Sequence, residues 1–199
     1  MTMPDVMVIR GAPGCGKSEV AKRLAARLGA GVRIEVDTLR AMIIPVDWTN
    51  QSEHVSVLSL ATGLVAGFLG VGHRPVIVID TFSGDKLTRF LADLRALRVG
   101  VEVHVFALVA DRLVLRGRVK DRPDDQFKDI SVCEKLNADV RRHLQPDERV
   151  IDNSTLTPEE TVDAILGYEP HSTLDCVRPD VNSRGRKNLF SKTKGQEKK

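Results

Sequence analysis

The sequence contains few aromatic residues and few cysteines. Only 4% of its 199 residues are Phe, Trp or Tyr, so a surface that binds nucleobases by stacking has few side chains to use. Its three cysteines are too few and too scattered for a disulfide framework, and no Cys or His pair has the spacing of a zinc site. No leader of charged and then apolar residues opens the chain. We therefore expect a protein of the reducing cytoplasm.

Charge is distributed unevenly along the chain. The net charge is +3, from 30 basic and 27 acidic residues. Residues 182–199 hold seven of the bases and one acid, which is +6, and residues 1–181 hold the other 23 bases and 26 acids, which is −3. The polar, Lys-rich composition predicts a disordered tail over 171–199 after a domain over 1–170. The tail is either a solubilising end or an arm that contacts nucleic acid.

One long run, residues 55–72, carries no charge. Its 18 residues are at the short limit for a membrane span, and it contains several Gly, Ser and Thr residues. No cluster of Lys or Arg flanks it, as a span would favour. Its residues at helical spacing are Val55, Leu58, Thr62, Val65 and Leu69. A buried helix is therefore favoured over a span, and no contact with a membrane is expected.

The apolar pattern alternates between strands and helices along the chain. Strand-like runs lie at 6–10, 32–36, 75–80, 101–109 and 149–153. Helical periods lie at 17–28, 55–72, 85–97, 130–144 and 157–167. This alternation predicts an α/β fold with a parallel sheet that has helices on both faces.

The strongest motif is the segment GAPGCGKS, which follows the first strand and opens the first helix. It matches G-x-x-x-x-G-K-[ST], whose backbone N–H groups surround phosphate oxygens at the start of a helix. In this motif the Lys reaches the β- and γ-phosphates and the Ser binds Mg²⁺. No N-K-x-D stretch supports GTP specificity, and the short chain favours a small ATP-dependent kinase. The predicted loop consists of Gly11, Ala12, Pro13, Gly14, Cys15, Gly16, Lys17 and Ser18.

Two aspartates follow strands on the side where ligands bind in parallel sheets. Asp37 comes after the second strand, where a carboxylate can take the proton of an acceptor hydroxyl. Arg40 can share its helical face and bind an anionic group of the acceptor. Alternatively, Asp37 caps a short helix and Arg40 is a solvated charge. Asp80 ends the third strand, and together with the phosphate loop it is a candidate for the metal site.

A charge-dense segment over about 111–128 follows the fourth strand. Its four arginines are Arg112, Arg116, Arg118 and Arg122, and Gly117 and Pro123 favour mobility. They predict a lid that closes over the triphosphate, with Arg112 binding nucleotide and Arg116 and Arg122 stabilising transferred charge. A solvated helix face would have a similar composition. Asn153, after the last strand, is a candidate contact of the nucleotide base, although a turn or capping role fits it equally.

The motifs GAPGCGKS, VDTLR, VIVIDT and LRGRVKDR together resemble one group of P-loop kinases, the AAA-33 type. This group includes polynucleotide 5′-hydroxyl kinases, zeta-toxin-like kinases and chloramphenicol phosphotransferase. The resemblance covers residues 5–168 and implies a P-loop NTPase sheet of five parallel strands in the order 2-3-1-4-5. The Asp37–Arg40 spacing resembles the polynucleotide kinase branch, which implies that Asp37 is the general base and that Arg40 binds a phosphate beside the 5′ nucleoside.

The sequence therefore predicts a kinase that uses ATP and Mg²⁺ to phosphorylate an acceptor hydroxyl. The favoured acceptor is a polynucleotide 5′ end. The alternatives are a small molecule such as an antibiotic or metabolite, a nucleotide sugar in the manner of the zeta toxins, and, outside enzymes, an ATP-binding regulatory protein.

Overall fold

The core of the protein is a sheet of five parallel strands. The structure, a computed structural model, describes residues 3–123 and 126–167. The predicted tail over 171–199 lies outside this range. The strands are β1 (Val6–Arg10), β2 (Val32–Glu35), β3 (Val76–Asp80), β4 (Val103–Val109) and β5 (Glu148–Asp152). Their order, β2-β3-β1-β4-β5, and their parallel pairing confirm the predicted P-loop NTPase sheet.

In the described part of the chain, six helices connect these strands and a seventh follows β5. They are α1 (Lys17–Leu28), α2 (Val36–Arg40), α3 (Gln51–Gly70), α4 (Lys86–Leu97), α5 (Arg112–Lys120), α6 (Ile130–Arg142) and α7 (Pro158–Leu166). α7 begins with a complete capping box between Thr157 and Glu160, as its sequence indicates. α5 is a regular helix within the segment whose Gly and Pro residues favoured mobility.

The strand residues alternate between two apolar layers. Met7 and Ile9 of β1 pack in one core with residues of α1 and α7, whereas Val6 and Val8 pack in a second core with residues of α3 and α4. All five residues of β1 are buried, as are those of β3. Burial on both faces explains why these central strands read as continuous apolar runs.

Helix α3 buries only one of its faces. Val57, Ala61 and Val65 lie in the core, while Leu60 on the opposite side is 67% exposed. By length and composition alone, α3 could cross a membrane, and 39% of its most apolar 18-residue window is buried inside the protein. Its packing against α4 and the sheet is that of a helix at the surface of the α/β fold.

Arg10 fixes the chain around the C-terminal end of β1. Its side chain is fully buried and forms an ion pair with Glu148 of β5, with Nε 2.5 Å from Oε1. Its other nitrogens donate to the carbonyl of Phe82 at 3.0 Å and to the carbonyls of Val140 and His143 at 3.0 and 2.8 Å. Arg10 therefore joins the loop after β3 to the end of α6 and to β5.

Candidate active site

The predicted phosphate loop connects β1 to α1 at the C-terminal edge of the sheet. Gly16 is the N-cap of α1, and Lys17 is the first residue of that helix. A turn within the loop is closed by the Cys15 N–H, which donates to the Ala12 carbonyl at 3.1 Å. Lys17 Nζ folds back and donates to the same carbonyl, also at 3.1 Å. The basic group is therefore held over the loop, where an incoming phosphate can replace the carbonyl as its partner.

Gly14 shows why this loop requires glycine. Its φ is +90°, a region that other residues rarely adopt. A Cβ on Gly14 would lie 2.7 Å from Cγ2 of Val119 and 3.1 Å from Cδ1 of Leu115. The phosphate loop and α5 thus pack so closely that a larger residue would displace the side chains of Val119 and Leu115.

Oxygen donors suited to Mg²⁺ lie beside the start of α1. Ser18 Oγ donates to Oε2 of Glu35, at the end of β2, with a separation of 2.9 Å. Asp80, which is 4% exposed, ends the adjacent strand β3. No group of three or more His, Cys, Asp or Glu residues in the described ranges forms a metal cluster. Mg²⁺ beside a nucleotide needs only one or two protein oxygens besides phosphates and water, so Ser18, Glu35 and Asp80 fit this ion.

Two hydrogen bonds hold the Asp80 carboxylate in place. Oδ1 lies 3.2 Å from Nε2 of His54, on α3, and Oδ2 accepts a bond of 2.8 Å from the backbone N–H of Phe82. Burial opposes ionisation of Asp80, but these hydrogen bonds hold its pKa below the ordinary value. Asp80 is therefore a fixed anion at the edge of the sheet.

Asp37 lies in the first turn of α2, directly after β2. Desolvation by the surrounding protein raises the pKa of its carboxyl, although part of the side chain is exposed, and the negative charge of Asp80 raises it further. The positive charge of Lys17 acts in the opposite direction. Because β2 and β1 flank β3 in the sheet, Asp37 after β2, the phosphate loop after β1 and Asp80 at the end of β3 lie at the same edge of the sheet.

Arg40 ends α2 and is almost completely buried, with 4% of its surface exposed. Its Nη2 donates to the carbonyl of Asp47 at 3.1 Å, and its guanidinium lies over the ring of Trp48, 4.8 Å from the centroid. Nε is buried and has no hydrogen-bond partner in the part of the chain that the structure describes. Among the described residues, no carboxylate forms an ion pair with Arg40. An arginine with an unused buried donor is suited to binding an anion.

Asn153 connects β5 to the phosphate loop. Its side-chain Nδ2 donates to the Cys15 carbonyl at 2.8 Å, and it is 3% exposed. Arg118 of α5 donates to Oδ1 and to the main-chain carbonyl of Asn153 at 3.0 and 2.8 Å. The structure thus brings Asn153 to the predicted loop, where its amide is already engaged with protein groups.

The other predicted lid arginines contact residues away from the phosphate loop. Arg112 and Arg116 both form ion pairs with Glu134 of α6, with Nε to carboxylate distances of 2.9 and 3.3 Å. Arg122 donates to the side chain of Gln126 at 2.9 Å and to the carbonyl of Phe127 at 2.7 Å. In this conformation Arg118 is therefore the arginine of the segment that reaches the loop, through Asn153.

Sequence reasoning did not single out several residues of this site. Glu35 lies within a strand pattern, and only its contact with Ser18 draws attention to it. The sequence places no partner near His54, because its partner, Asp80, is on another element. Lys86 read as an ordinary helix lysine, yet it lies 3.3 Å from Nδ1 of His54. Trp48 could have been singled out from the sequence, because it is the single tryptophan of the chain.

Comparison with known families agrees with this geometry. A family model described as an AAA domain, AAA_33, matches residues 6–146, from β1 to beyond α6. The chain belongs to the AAA_33 family. A comparison with curated proteins finds no match.

Solved structures similar to this AAA_33 protein include kinases. A sugar kinase from Janibacter sp. HTCC2649 is 20% identical, with a TM-score of 0.62, over 82% of this chain and 92% of the other. The tunicamycin resistance protein of Deinococcus radiodurans is 23% identical, with a TM-score of 0.62, over 84% and 98%. A chain of the Pnkp1/Rnl/Hen1 RNA repair complex is 19% identical, with a TM-score of 0.57, over 71% and 45%. At these identities the similarity shows the fold, which is that of the P-loop kinases.

Proposed function

We propose that this AAA_33 protein is a kinase that uses ATP and Mg²⁺ to phosphorylate a hydroxyl group of an acceptor. The observation that carries the proposal is the position of Asp37, after β2 and electrostatically coupled to Lys17 and Asp80. A carboxylate beside a phosphate loop can serve as the general base of phosphoryl transfer. The low cysteine content supports a cytoplasmic location.

In the proposed reaction, Asp37 accepts the proton of the acceptor hydroxyl as its oxygen attacks the γ-phosphorus of ATP. The bond from the γ-phosphorus to the β,γ-bridging oxygen breaks, and ADP leaves. Lys17 and the N–H groups of residues 11–18 hold the phosphates. Ser18, Asp80 and Glu35 are the residues that would hold Mg²⁺, which when bound neutralises charge on the phosphates.

We propose that the arginines of 111–128 act as a lid when ATP is bound. Arg112 would then contact the nucleotide, and Arg116 and Arg122 would stabilise charge on the transferred phosphoryl group. Since Arg112 and Arg116 share Glu134 as a partner, closure requires that both exchange their ion pair with this carboxylate for phosphate oxygens. Through its contacts with Cys15 and Arg118, Asn153 would support the part of the site that binds the nucleobase of ATP.

The acceptor that we favour is a polynucleotide with a 5′-hydroxyl end. Trp48 supports this choice, because it lies beside Arg40 at the end of α2 and is 49% exposed. An exposed indole ring can stack a base while the neighbouring guanidinium binds a phosphate. The basic tail, at +6 over 182–199, would add contacts to the phosphate backbone.

A small-molecule acceptor is the second candidate. The charge of −3 over residues 1–181 favours it, because a net negative domain attracts a polyanion weakly without its tail. An antibiotic, a metabolite or a nucleotide sugar would need only the cleft beside Asp37.

A transfer assay tests the proposal. The full-length protein is incubated with γ-labelled ATP and either a 5′-hydroxyl oligonucleotide or a panel of small alcohols. We expect Asp37→Asn to lower kcat by about 10²- to 10⁴-fold, the usual contribution of a general base, with ATP binding retained. Asp93→Asn, at an exposed position of α4, is the matched control.

The outcomes separate the candidates. Labelling of the oligonucleotide supports the first acceptor, and labelling of a small alcohol supports the second. If no acceptor is labelled and both Asp variants behave like the wild type, the protein is an ATP-binding regulator and the kinase proposal is wrong.

A further inference from the structure

Lys86 occupies an unusual position for a lysine. It is the first residue of α4, and its ammonium donates to Gln51 Oε1 at 2.8 Å and to Ser83 Oγ at 3.2 Å. It also lies 3.3 Å from Nδ1 of His54. All three partners are uncharged polar groups, and no carboxylate of the described residues lies within ion-pair distance of it. The positive charge of Lys86 is therefore oriented by the protein but not neutralised by direct contact.

Three features make this position unfavourable for a cation. The N-terminus of a helix carries partial positive charge, and Lys86 is half-buried there. Desolvation accordingly lowers the pKa of Lys86, and the nearby charge of Arg40 lowers it as well, while Asp80 opposes them. Of these features, the partial positive charge of the helix N-terminus and the charge of Arg40 favour the binding of an anion.

Arg40 is the second cation without a carboxylate partner at this place. It is almost completely buried, and in the described part of the chain its Nε has no hydrogen-bond partner while its Nη2 donates to a backbone carbonyl. A buried donor without a partner destabilises the free protein, and a bound anion would remove this penalty. Arg40 contacts Asp47 and Trp48, and Lys86 contacts Gln51 and His54, so both cations lie against the same stretch of chain, residues 47–54, at the start of α3.

His54 fixes Lys86 relative to the catalytic edge. An ammonium group can only donate, so Nδ1 of His54 must be the acceptor of its contact with Lys86. The proton of the neutral ring is then on Nε2, which donates to Oδ1 of Asp80 at 3.2 Å. The distance from the Lys86 ammonium to the metal-site carboxylate is therefore set by a single rigid ring.

We infer that Lys86 and Arg40 together form a subsite for an anionic group of the acceptor, a phosphate or a carboxylate, beside Asp37. The acceptor is then an alcohol that carries such a group near its reacting hydroxyl, and neutral alcohols are poor substrates. The inference rests on the proposed function for the identity of the ligand as an acceptor. It adds Lys86 as the residue that selects anionic acceptors.

Equilibrium binding tests this directly, without requiring turnover. The full-length protein is saturated with a non-hydrolysable ATP analogue and titrated with two pairs of probes. The pairs are thymidine 3′-phosphate against thymidine, and gluconate against glucose, so that phosphate and carboxylate are distinguished. We expect the wild type to bind at least one anionic probe more tightly than its neutral counterpart.

Variants of Lys86 then test whether this residue causes the preference for anionic probes. Lys86→Met should weaken binding of the preferred anion about 10- to 100-fold, the equivalent of one charged hydrogen bond. Lys86→Arg should retain most of the affinity, and Lys22→Met, at an exposed position of α1, should have no effect. All three variants should retain binding of the ATP analogue.

The two hypotheses fail in different ways. Equal binding of anionic and neutral probes, or an unchanged affinity in Lys86→Met, overturns the subsite. Selective anion binding that depends on Lys86, without transfer to any acceptor, supports the subsite and contradicts the kinase proposal. Phosphorylation of neutral alcohols at rates that Lys86→Met does not change supports the kinase and removes the subsite.

Discussion

The guanidinium of Arg118 donates to two atoms of the same residue, Oδ1 and the main-chain carbonyl of Asn153, at 3.0 and 2.8 Å. The amide of Asn153 in turn donates to the Cys15 carbonyl at 2.8 Å. This chain of contacts connects α5, the end of β5 and the phosphate loop. Because α5 also packs against Gly14, the shape of the loop depends on the position of this helix.

Asn153→Ala tests this dependence. It removes a buried amide that satisfies the Cys15 carbonyl and leaves Arg118 without its side-chain acceptor. We expect the free energy of unfolding to fall by about 1–3 kcal/mol. We also expect ATP to bind about tenfold more weakly, because the loop is no longer held in its binding geometry. Urea denaturation and titration with ATP measure the two effects.

Thr157→Ala is the control for the loss of stability. It removes the N-cap of α7 at a cost of about 0.5–2 kcal/mol, without a contact to the phosphate loop. An equal loss of ATP affinity in Thr157→Ala would mean that general destabilisation, and not the contact with Cys15, explains the result.

The raised pKa of Asp37 predicts opposite pH effects on activity and on stability. As a base, Asp37 must be ionised, so kcat/KM should fall on the acid side at a higher pH than an ordinary Asp, of pKa about 3.9, would give. For stability, a carboxyl whose pKa is raised on folding is stabilising when protonated. That contribution is complete below the unfolded pKa and is lost as pH rises through the folded pKa.

Asp37→Asn should therefore lose transfer activity and be more stable than the wild type at pH 7. The gain arises because the neutral amide avoids both desolvation and the repulsion by Asp80. The gain should disappear below the unfolded pKa, where the wild-type carboxyl is also neutral. Thermal unfolding from pH 3 to pH 7 measures it, with Asp93→Asn as the surface control. Lower stability of Asp37→Asn at pH 7 would contradict this account of the Asp37 environment.

The sequence allowed prediction of most strands and helices, but not of the contacts between distant elements. Apolar runs define the buried strands, and their alternation with helices indicates a parallel sheet. The strand order required the family resemblance, because order depends on packing that periodicity does not specify. Gly117 and the many charged residues of α5 favoured a mobile segment, so the sequence did not indicate that this segment is a regular helix. Once the helix is known, its spacing explains why Arg112 and Arg116 share Glu134, while Arg118 points to Asn153.

Glu35 and Lys86 illustrate the same limit. Each reads locally as a solvated charge, one in a strand and one at the start of a helix. Their roles depend on Ser18 and His54, which lie 17 and 32 residues away in the chain. Only a fold that brings the ends of β2, β3 and α3 together reveals these contacts.

The buried pair of Arg10 and Glu148 predicts strong coupling between its two members. Burial raises the pKa of Glu148 even though Arg10 lies against it, so the attraction does not fully offset desolvation. Arg10→Met and Glu148→Leu should each reduce the free energy of unfolding by about 3–5 kcal/mol, because each leaves a buried charge unpaired. The double variant should lose less than the sum of the two. Urea denaturation of all four proteins at pH 7 gives the coupling free energy, and strict additivity would contradict the pairing.

A substitution at Gly63, on the exposed face of α3, should stabilise the protein. It lies in the interior of the helix, and a Cβ at this position would have no neighbour within 4 Å among residues 3–123 and 126–167. Gly63→Ala should therefore raise the free energy of unfolding by about 0.5–1 kcal/mol, the difference in helix propensity.

Gly31→Ala is the matched control and should have the opposite sign. Gly31 has a φ of +106°, and its Cβ would lie 2.4 Å from the Pro75 carbonyl oxygen, so the same added methyl group must displace the backbone. Chemical denaturation of both variants at several protein concentrations checks the pair. If Gly63→Ala destabilises the protein, and more so at high concentration, then the apolar face of α3 that includes Leu60 packs against another molecule in solution, since the added methyl group meets none of the described residues of its own chain.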